Sequence, residues 1–428
     1  MSDLSQLIID KYKTRDQLIN SGIWQNEIYQ TSSIINTSNR SWIWKILLLH
    51  SENQNDSGNT NKYMTSDDIL MDSLYSLVSV PLLSTKQPEE DQSPKQKNLF
   101  NPLKHIINNH TYNKGIRKLT PNETHSHPLL SSNPDSSTEN STTVEEGMNI
   151  NDTLEIIDLD LSRLIVSPIF QDPMIHSLMR KIMFNYLLIS NNNNNDDIMK
   201  QKYYYRQGFH EILAIIFLQF YEPHTKITDE QIKFILFIFI KLMDPLRLSF
   251  YQESQLLVWQ QSYFIRILKL CDLELYTILY GDSSINNHNL IWLIRWTRLL
   301  FLRELPMNDC LVIWDHILTF SYPMEVMVAC LVISILVVVR RDLIKIDQND
   351  QMDNDDIIEY LLRFDKNQYS LNILKICQLS GLLCEAWESG HWKDLHKIVL
   401  NHIRINDIDP NRKRLEDKLR KRVQKIME

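Results

Sequence analysis

Three features of the 428-residue chain predict an all-α fold. Apolar residues recur at three- and four-residue spacing in one run after another, the period of a helix with a buried face. No stretch alternates apolar and polar residues for long enough to define a strand. The 8 Gly among 428 residues are too few for the tight turns of a β-rich fold. With 43% hydrophobic residues a sizeable core can form, and the length allows about three domains.

Residues 4–23 read as a short helix. The segment 40–48 sets Trp44, Leu47 and Leu48 on one helical face, with Arg40 and Lys45 to its sides. Ser66, followed by Asp67 and Asp68, caps a short helix reaching Leu77. Together, 1–83 form an N-terminal helical part. From 84 to 152 the composition shifts to Asn, Ser, Thr, Pro, Lys and Glu. Such a stretch buries too little apolar area to offset its ordering entropy, and it reads as a disordered insertion. Its apolar island, Leu99–Ile107, could dock on the core. The five-Asn run at 191–195 is a second low-complexity loop.

Order resumes at Thr153. Asp172-Pro173 supplies an N-cap and a first-turn proline. Ile175, Leu178, Met179, Ile182 and Tyr186 then mark a helix through Leu188. Residues 203–221 read as a lead-in loop and a helix that is apolar nearly all round, hence buried. Arg206, Gln207 and Gly208 stand at its mouth, where unpaired N–H groups suit an anion; taken alone, the stretch reads as an N-terminal turn with an incidental Gln. Gly208 would let another backbone come close. Further helices are expected over 228–243, 252–280 and 289–304, the last with a Trp292, Trp296, Leu299, Leu300 stripe broken by Leu305-Pro306. Helices at 310–320 and 324–340 complete a core over 153–345. After an acidic loop at 349–356, helices 367–387 and 390–404 close the fold within 346–408. The tail, 409–428, reads as a helix with Leu415, Leu419, Val423 and Ile426 on one side amid eight Lys or Arg. It could lie on an anionic membrane as a peripheral contact or dock on a partner; its bland reading is a solvated terminal helix.

Charge and cysteines exclude several classes. A net charge of −8 gives no global attraction to nucleic acid, which is not expected as a partner. The five Cys form no C-x-x-C and sit in apolar contexts, as buried free thiols of a reducing compartment would. The first residues show neither a basic nor an apolar leader segment. The longest apolar run, Val326–Val339, is too short to span a bilayer. A cytoplasmic protein is expected.

Three enzyme readings come up and mostly fail, the phosphatase staying as a third possibility that an all-helical fold would sink. His210-Glu211 opens like H-E-x-x-H but lacks the second His a zinc helix needs. Asp158-Leu-Asp160 resembles the paired aspartates of a phosphatase loop, which would require Asp158 at a strand end. No Gly-x-x-x-x-Gly-Lys-[Ser/Thr] phosphate loop is present.

A dispersed constellation remains. It comprises Arg40-x-x-x-Trp44-Lys45, Ile157-x-x-Asp160-x-x-Arg163, Tyr205-x-Gln207-Gly208, and Arg303-Glu-Leu-Pro306 followed by Ile313-Trp-Asp315. Each is weak alone. In this order, over Arg40 to Arg340, they resemble the TBC domain of Rab-type (Ypt/Rab) GTPase-activating proteins. The string Gln-Gly-Phe-His-Glu-Ile-Leu-Ala is similar to the Gln-Gly-Met-His-Glu-Leu-Leu-Ala of a subgroup acting in endosomal and Golgi traffic. Leu164 and Phe209 depart from the family's usual Thr or Ser and Met.

The resemblance implies a two-lobed, all-helical fold and two catalytic side chains supplied in trans. Arg163 matches the family's arginine finger and Gln207 its glutamine finger, with Asp160, Tyr205, Gly208 and Asp315 in support. The partner would be a Rab/Ypt-type small GTPase in its GTP form, met in vesicle transport at Golgi or endosomal membranes. That partner, not this chain, would hold the GTP and Mg²⁺, so no cofactor of the chain's own is implied, and the chain would accelerate a hydrolysis that belongs to the GTPase. The alternative is a catalytically silent scaffold for GTPases or coat proteins. Taken singly, Arg163 reads as a surface ion-pair partner of Asp160, Arg303-Glu304 as an exposed pair, His210 as a structural histidine, and the tryptophans as core.

Overall fold

The computed structural model describes residues 11–12, 15–30, 40–41, 43–45, 47, 148–190, 203–281, 289–320, 322–348, 354–363 and 372–406. The helix expected before Leu77, most of the 84–152 stretch, the Asn run and the tail helix lie outside them. Every regular element among the described residues is helical, and a single antiparallel bridge joins Met148 to Tyr203. The all-α expectation holds. The chain divides into two units, Leu77–Tyr205 and Met1–Ser76 with Arg206–Glu428. Helices of seven or more residues are numbered below in chain order.

In the unit Leu77–Tyr205, α1 (Ile150–Ser162) starts earlier than expected, inside the stretch assigned to the insertion. Asn149 explains the early start: its side chain caps the helix, accepting from the Asp152 N–H at 2.9 Å. A short 3-10 turn, Pro168–Gln171, leads to α2 (Pro173–Ser190). Asp172 caps α2 through the Met174 N–H at 2.7 Å, as the Asp-Pro pair predicts. α2 lays Met179, Ile182, Met183 and Tyr186 into the unit's core against α1.

In the other unit a short α-helical turn, Arg15–Gln17, runs into a π-helical coil, Leu18–Trp24, where a plain helix is expected. The wider coil sets Trp24 against Gly381, where an added Cβ would lie 2.6 Å from the indole. Arg40, Ser41, residues 43–45 and Leu47 are helical. α3 (Phe209–Leu218) is buried from Phe209 to Phe217 apart from Glu211, as its apolar composition predicts. α4 (Asp229–Phe250) opens with a Thr228–Gln231 capping box and runs past Pro245, seven residues beyond its expected end. The expected helix 252–280 is instead α5 (Glu253–Trp259), a π segment Gln260–Phe264, α6 (Ile265–Cys271) and α7 (Leu273–Tyr280). Asp272 makes the last break, capping α7 through the Glu274 and Leu275 N–H groups at 3.1 Å each.

α8 (Asn289–Arg298) ends well before Leu305-Pro306. Leu300 and Phe301 adopt positive φ (45° and 67°), which no continuing helix tolerates, and the turn they form leads to α9 (Met307–Thr319). α10 (Met324–Asp347) is the centre of the unit, buried from Val326 to Val337 and packed most extensively on α12 (Ile373–Glu388). Part of the expected acidic loop is helical: Asn354 to Leu362 form α11. α13 (Leu395–Asn406) follows a short 3-10 turn. All five Cys are buried free thiols. No helix among the described residues is long and apolar enough to cross a membrane.

His316 of α9 is buried with neither ring nitrogen hydrogen-bonded, stacked on Tyr29 and tilted against Phe320. Burial pushes its protonation down to about 4. The unfolded chain then binds a proton, near pH 6.5, that the fold refuses. Stability is therefore complete above that pH and falls as acid is added through the window from 6.5 to 4. Wild type is expected to lose about 2 kcal/mol more than His316→Phe between pH 6.5 and 5, read by urea unfolding. Equal pH slopes for the two proteins would refute this.

Candidate functional site

Arg163 sits at the C-cap of α1, with its backbone N–H still bonded to the Asp160 carbonyl at 3.2 Å. Its side chain is exposed and makes no hydrogen bond or ion pair among the described residues. The expected surface pairing with Asp160 is thus not what holds the aspartate. Asp160 is buried, and its carboxylate accepts the Tyr205 hydroxyl at 2.8 Å. Tyr203 and Tyr205 alternate inward from an extended segment, with Tyr203 paired to Met148 through N–H···O bonds of 2.8 and 3.1 Å. One segment therefore ties both ends of α1, and Tyr205 holds the end that carries Arg163. After Arg163 the buried Leu164 anchors the chain again, and its carbonyl accepts from Gln171 at 3.2 Å.

Tyr205 is the last residue of its unit, and the chain re-enters the other at Arg206. Gln207 lies on the turn before α3, exposed and likewise without a side-chain partner among the described residues. Gly208 caps the helix at φ 105°, a left-handed conformation that favours glycine. What comes close to it is a side chain rather than the expected backbone: an added Cβ would meet Leu299 Cδ2 at 2.7 Å. Beneath the turn, Phe209 packs edge-on to Tyr251 at 4.9 Å. Tyr251 donates to the Arg298 carbonyl at 2.8 Å, and the Arg298 guanidinium donates back to the Phe250 and Tyr251 carbonyls at 3.1 Å each. Burial pushes the Arg298 and Arg206 guanidinium groups down from their usual range. Arg303 pairs with Glu211 of α3, and Glu304 pairs with Arg295, so Arg303-Glu304 is not the exposed pair its sequence suggests.

Gly208→Ala is expected to cost about 1–3 kcal/mol from the positive φ, with the Leu299 clash added to it. Adding Leu299→Ala should relieve the clash but not the backbone strain. Denaturant unfolding of the single and double variants checks both parts.

Asp315 is engaged with a buried arginine of its own unit. It is buried in α9, where it accepts from Arg40 Nε and Nη2 at 3.1 Å, from Trp44 Nε1 at 2.7 Å and from Tyr29 at 3.1 Å. Arg40 is thus buried, not at the side of its helix. Burial, with Asp315 beside it, pushes the Tyr29 phenol well up. This hub fastens N-terminal residues to α9 and has a structural role.

Of the residues that build the Gln207 turn, sequence reasoning reached Leu299 as part of a stripe but missed Tyr251 and Arg298. No local motif marks them; they act through backbone carbonyls. The phosphatase reading falls. Asp158 is inside α1, not at a strand end, and pairs with Arg180 at 2.8 Å. His210 is buried, and no three His, Cys, Asp or Glu side chains gather as metal ligands among the described residues. The tryptophans Trp44, Trp292, Trp296 and Trp314 are core residues.

No curated protein matches the chain. A solved structure, "Crystal structure of the Ypt/Rab-GAP domain of Gyp1p", is similar over 56% of this chain and 74% of that one, at 18% identity and a TM-score of 0.42. A family model described as the Rab-GTPase-TBC domain matches residues 122–344, more than half of the 428 residues. On that match the chain belongs to the Rab-GTPase-TBC domain family.

Proposed function

We propose that this protein stimulates GTP hydrolysis by a Rab-type small GTPase, presenting Arg163 and Gln207 to the partner's nucleotide. The observation that supports it most is chemical. The two polar heads the motifs single out are exposed and unpaired among the described residues, while Asp160 and Leu164 near the first and Gly208 and Phe209 beside the second are buried. Hydrolysis spreads negative charge over the γ-phosphoryl group and its leaving oxygen. A guanidinium, planar and always charged, can address two such oxygens at once. A carboxamide can donate to the phosphoryl group while accepting from the attacking water. Asp160 and Tyr205 act through α1, and Gly208 through its turn, as positioning residues. GTP and Mg²⁺ belong to the partner, which is met in its GTP form. The Gln-Gly-Phe-His-Glu string supports a place in endosomal or Golgi vesicle traffic, with the basic tail as a peripheral membrane contact.

The test is single-turnover hydrolysis by a panel of GTP-loaded Rab-type GTPases, with wild type, Arg163→Ala and Gln207→Ala compared. Stimulation of one or two members, lost in both variants with the fold retained, is the expected result. No stimulation across the panel, with binding still measurable, would replace this reading by a silent scaffold.

A further inference from the structure

α1 buries one face and leaves another bare. Ile150, Leu154, Ile157, Asp160 and Leu161 turn inward. Asp152, Ile156, Leu159 and Arg163 follow at spacings of four, three and four, so they form one line along the outer surface. Ile156 is 36% exposed and Leu159 48%. The line ends on Arg163, unpaired among the described residues, and just past the buried Leu164 stands Ile165, 92% exposed. Single exposed apolar residues are ordinary. Here exposed apolar residues stand on both sides of an exposed arginine in the chain.

We propose that Ile156, Leu159 and Ile165 are the apolar contact by which the protein docks on its GTP-loaded partner beside Arg163. The inference rests on the GTPase-activator reading. Charge complementarity selects the occupant. The guanidinium calls for an anion, and its neighbours call for apolar surface beside that anion, as on a protein holding a phosphorylated ligand at its rim. A polyanion such as nucleic acid or an anionic membrane would want more cations along the line, which instead begins at the exposed Asp152, with the exposed Glu155 beside it on the helix. A few clustered side chains commonly carry most of an interface's affinity.

The experiment uses the full chain and whichever GTP-loaded GTPase of the panel responds to it. Leu159→Ser/Ile165→Ser is titrated in single-turnover hydrolysis beside wild type. The expected result is a rise of about tenfold or more in the half-saturating concentration, with the maximal rate within about threefold of wild type. Both side chains are exposed, so the melting temperature should not move. Leu159→Ala and Ile165→Ala, milder and singly made, should each give part of the shift. An unchanged half-saturating concentration with wild type active would overturn the docking contact and leave the activator reading intact. So would a lost maximal rate at unchanged half-saturation, which would make these side chains supports of Arg163. A change in self-association by light scattering without a kinetic shift would give the surface to a second copy instead. A wild type that stimulates no GTPase would remove both readings.

Discussion

Arg163→Ala is expected to reduce the stimulated hydrolysis rate by about 10³–10⁵, the effect of an arginine supplied in trans to a phosphoryl transfer. That corresponds to roughly 4–7 kcal/mol of barrier. The same substitution should leave stability within about 0.5 kcal/mol, since the side chain is exposed and no described residue loses a partner. This separation of rate from stability is what an ion-pairing surface arginine would not show. Arg163→Lys keeps the charge but loses the planar fork, and should recover little. Single-turnover rates at saturating protein, with thermal melts of each variant, check both halves. A variant that still stimulates within tenfold of wild type would end the finger assignment.

Asp315→Ala carries the largest expected cost to the fold. It strands the Arg40 guanidinium in the interior and removes the acceptor of Trp44 and Tyr29. Breaking a buried pair by deleting one partner costs about 3–5 kcal/mol. For a body of this size the melting temperature should fall by roughly 10 °C. Replacing both partners with apolar groups is a milder change, because no charge is left buried. Asp315→Leu/Arg40→Met should therefore be more stable than Asp315→Ala. Urea unfolding of the set measures the coupling, and a double variant no better than the single would show that Arg40 escapes to water.

Local signals carried the fold a long way. Asp172-Pro173 and the apolar period after it placed α2 because cap, first turn and stripe are neighbours in sequence. The end of α8 was not legible: Leu300 and Phe301 are ordinary helix formers whose positive φ is imposed by the packing of their unit. Nor was the role of Asp315, whose partners lie more than 270 residues away in the chain. Arg163 and Gln207 could be read as candidates because motifs mark them. Their supports divide differently. Asp160 and Tyr205 sit in motifs, but their bond spans 45 residues and no spacing announces it. Tyr251 and Arg298 belong to no motif, since a hydrogen bond to a carbonyl leaves no trace in residue type.

The division of the chain has a spectroscopic consequence. All nine Trp fall in the unit formed by Met1–Ser76 and Arg206–Glu428, and the stretch from Leu77 to Tyr205 has none. Indole fluorescence therefore follows the Gln207 unit alone, while α1 and its arginine are dark at excitation wavelengths where tyrosine does not absorb. Far-ultraviolet dichroism, by contrast, sees the helices of both. Superimposable melts from the two signals would mean that the units unfold together. A dichroic transition without a fluorescent one would belong to the arginine-bearing unit. A single tryptophan placed there, at Tyr186, would turn the silent unit into a reporter of its own.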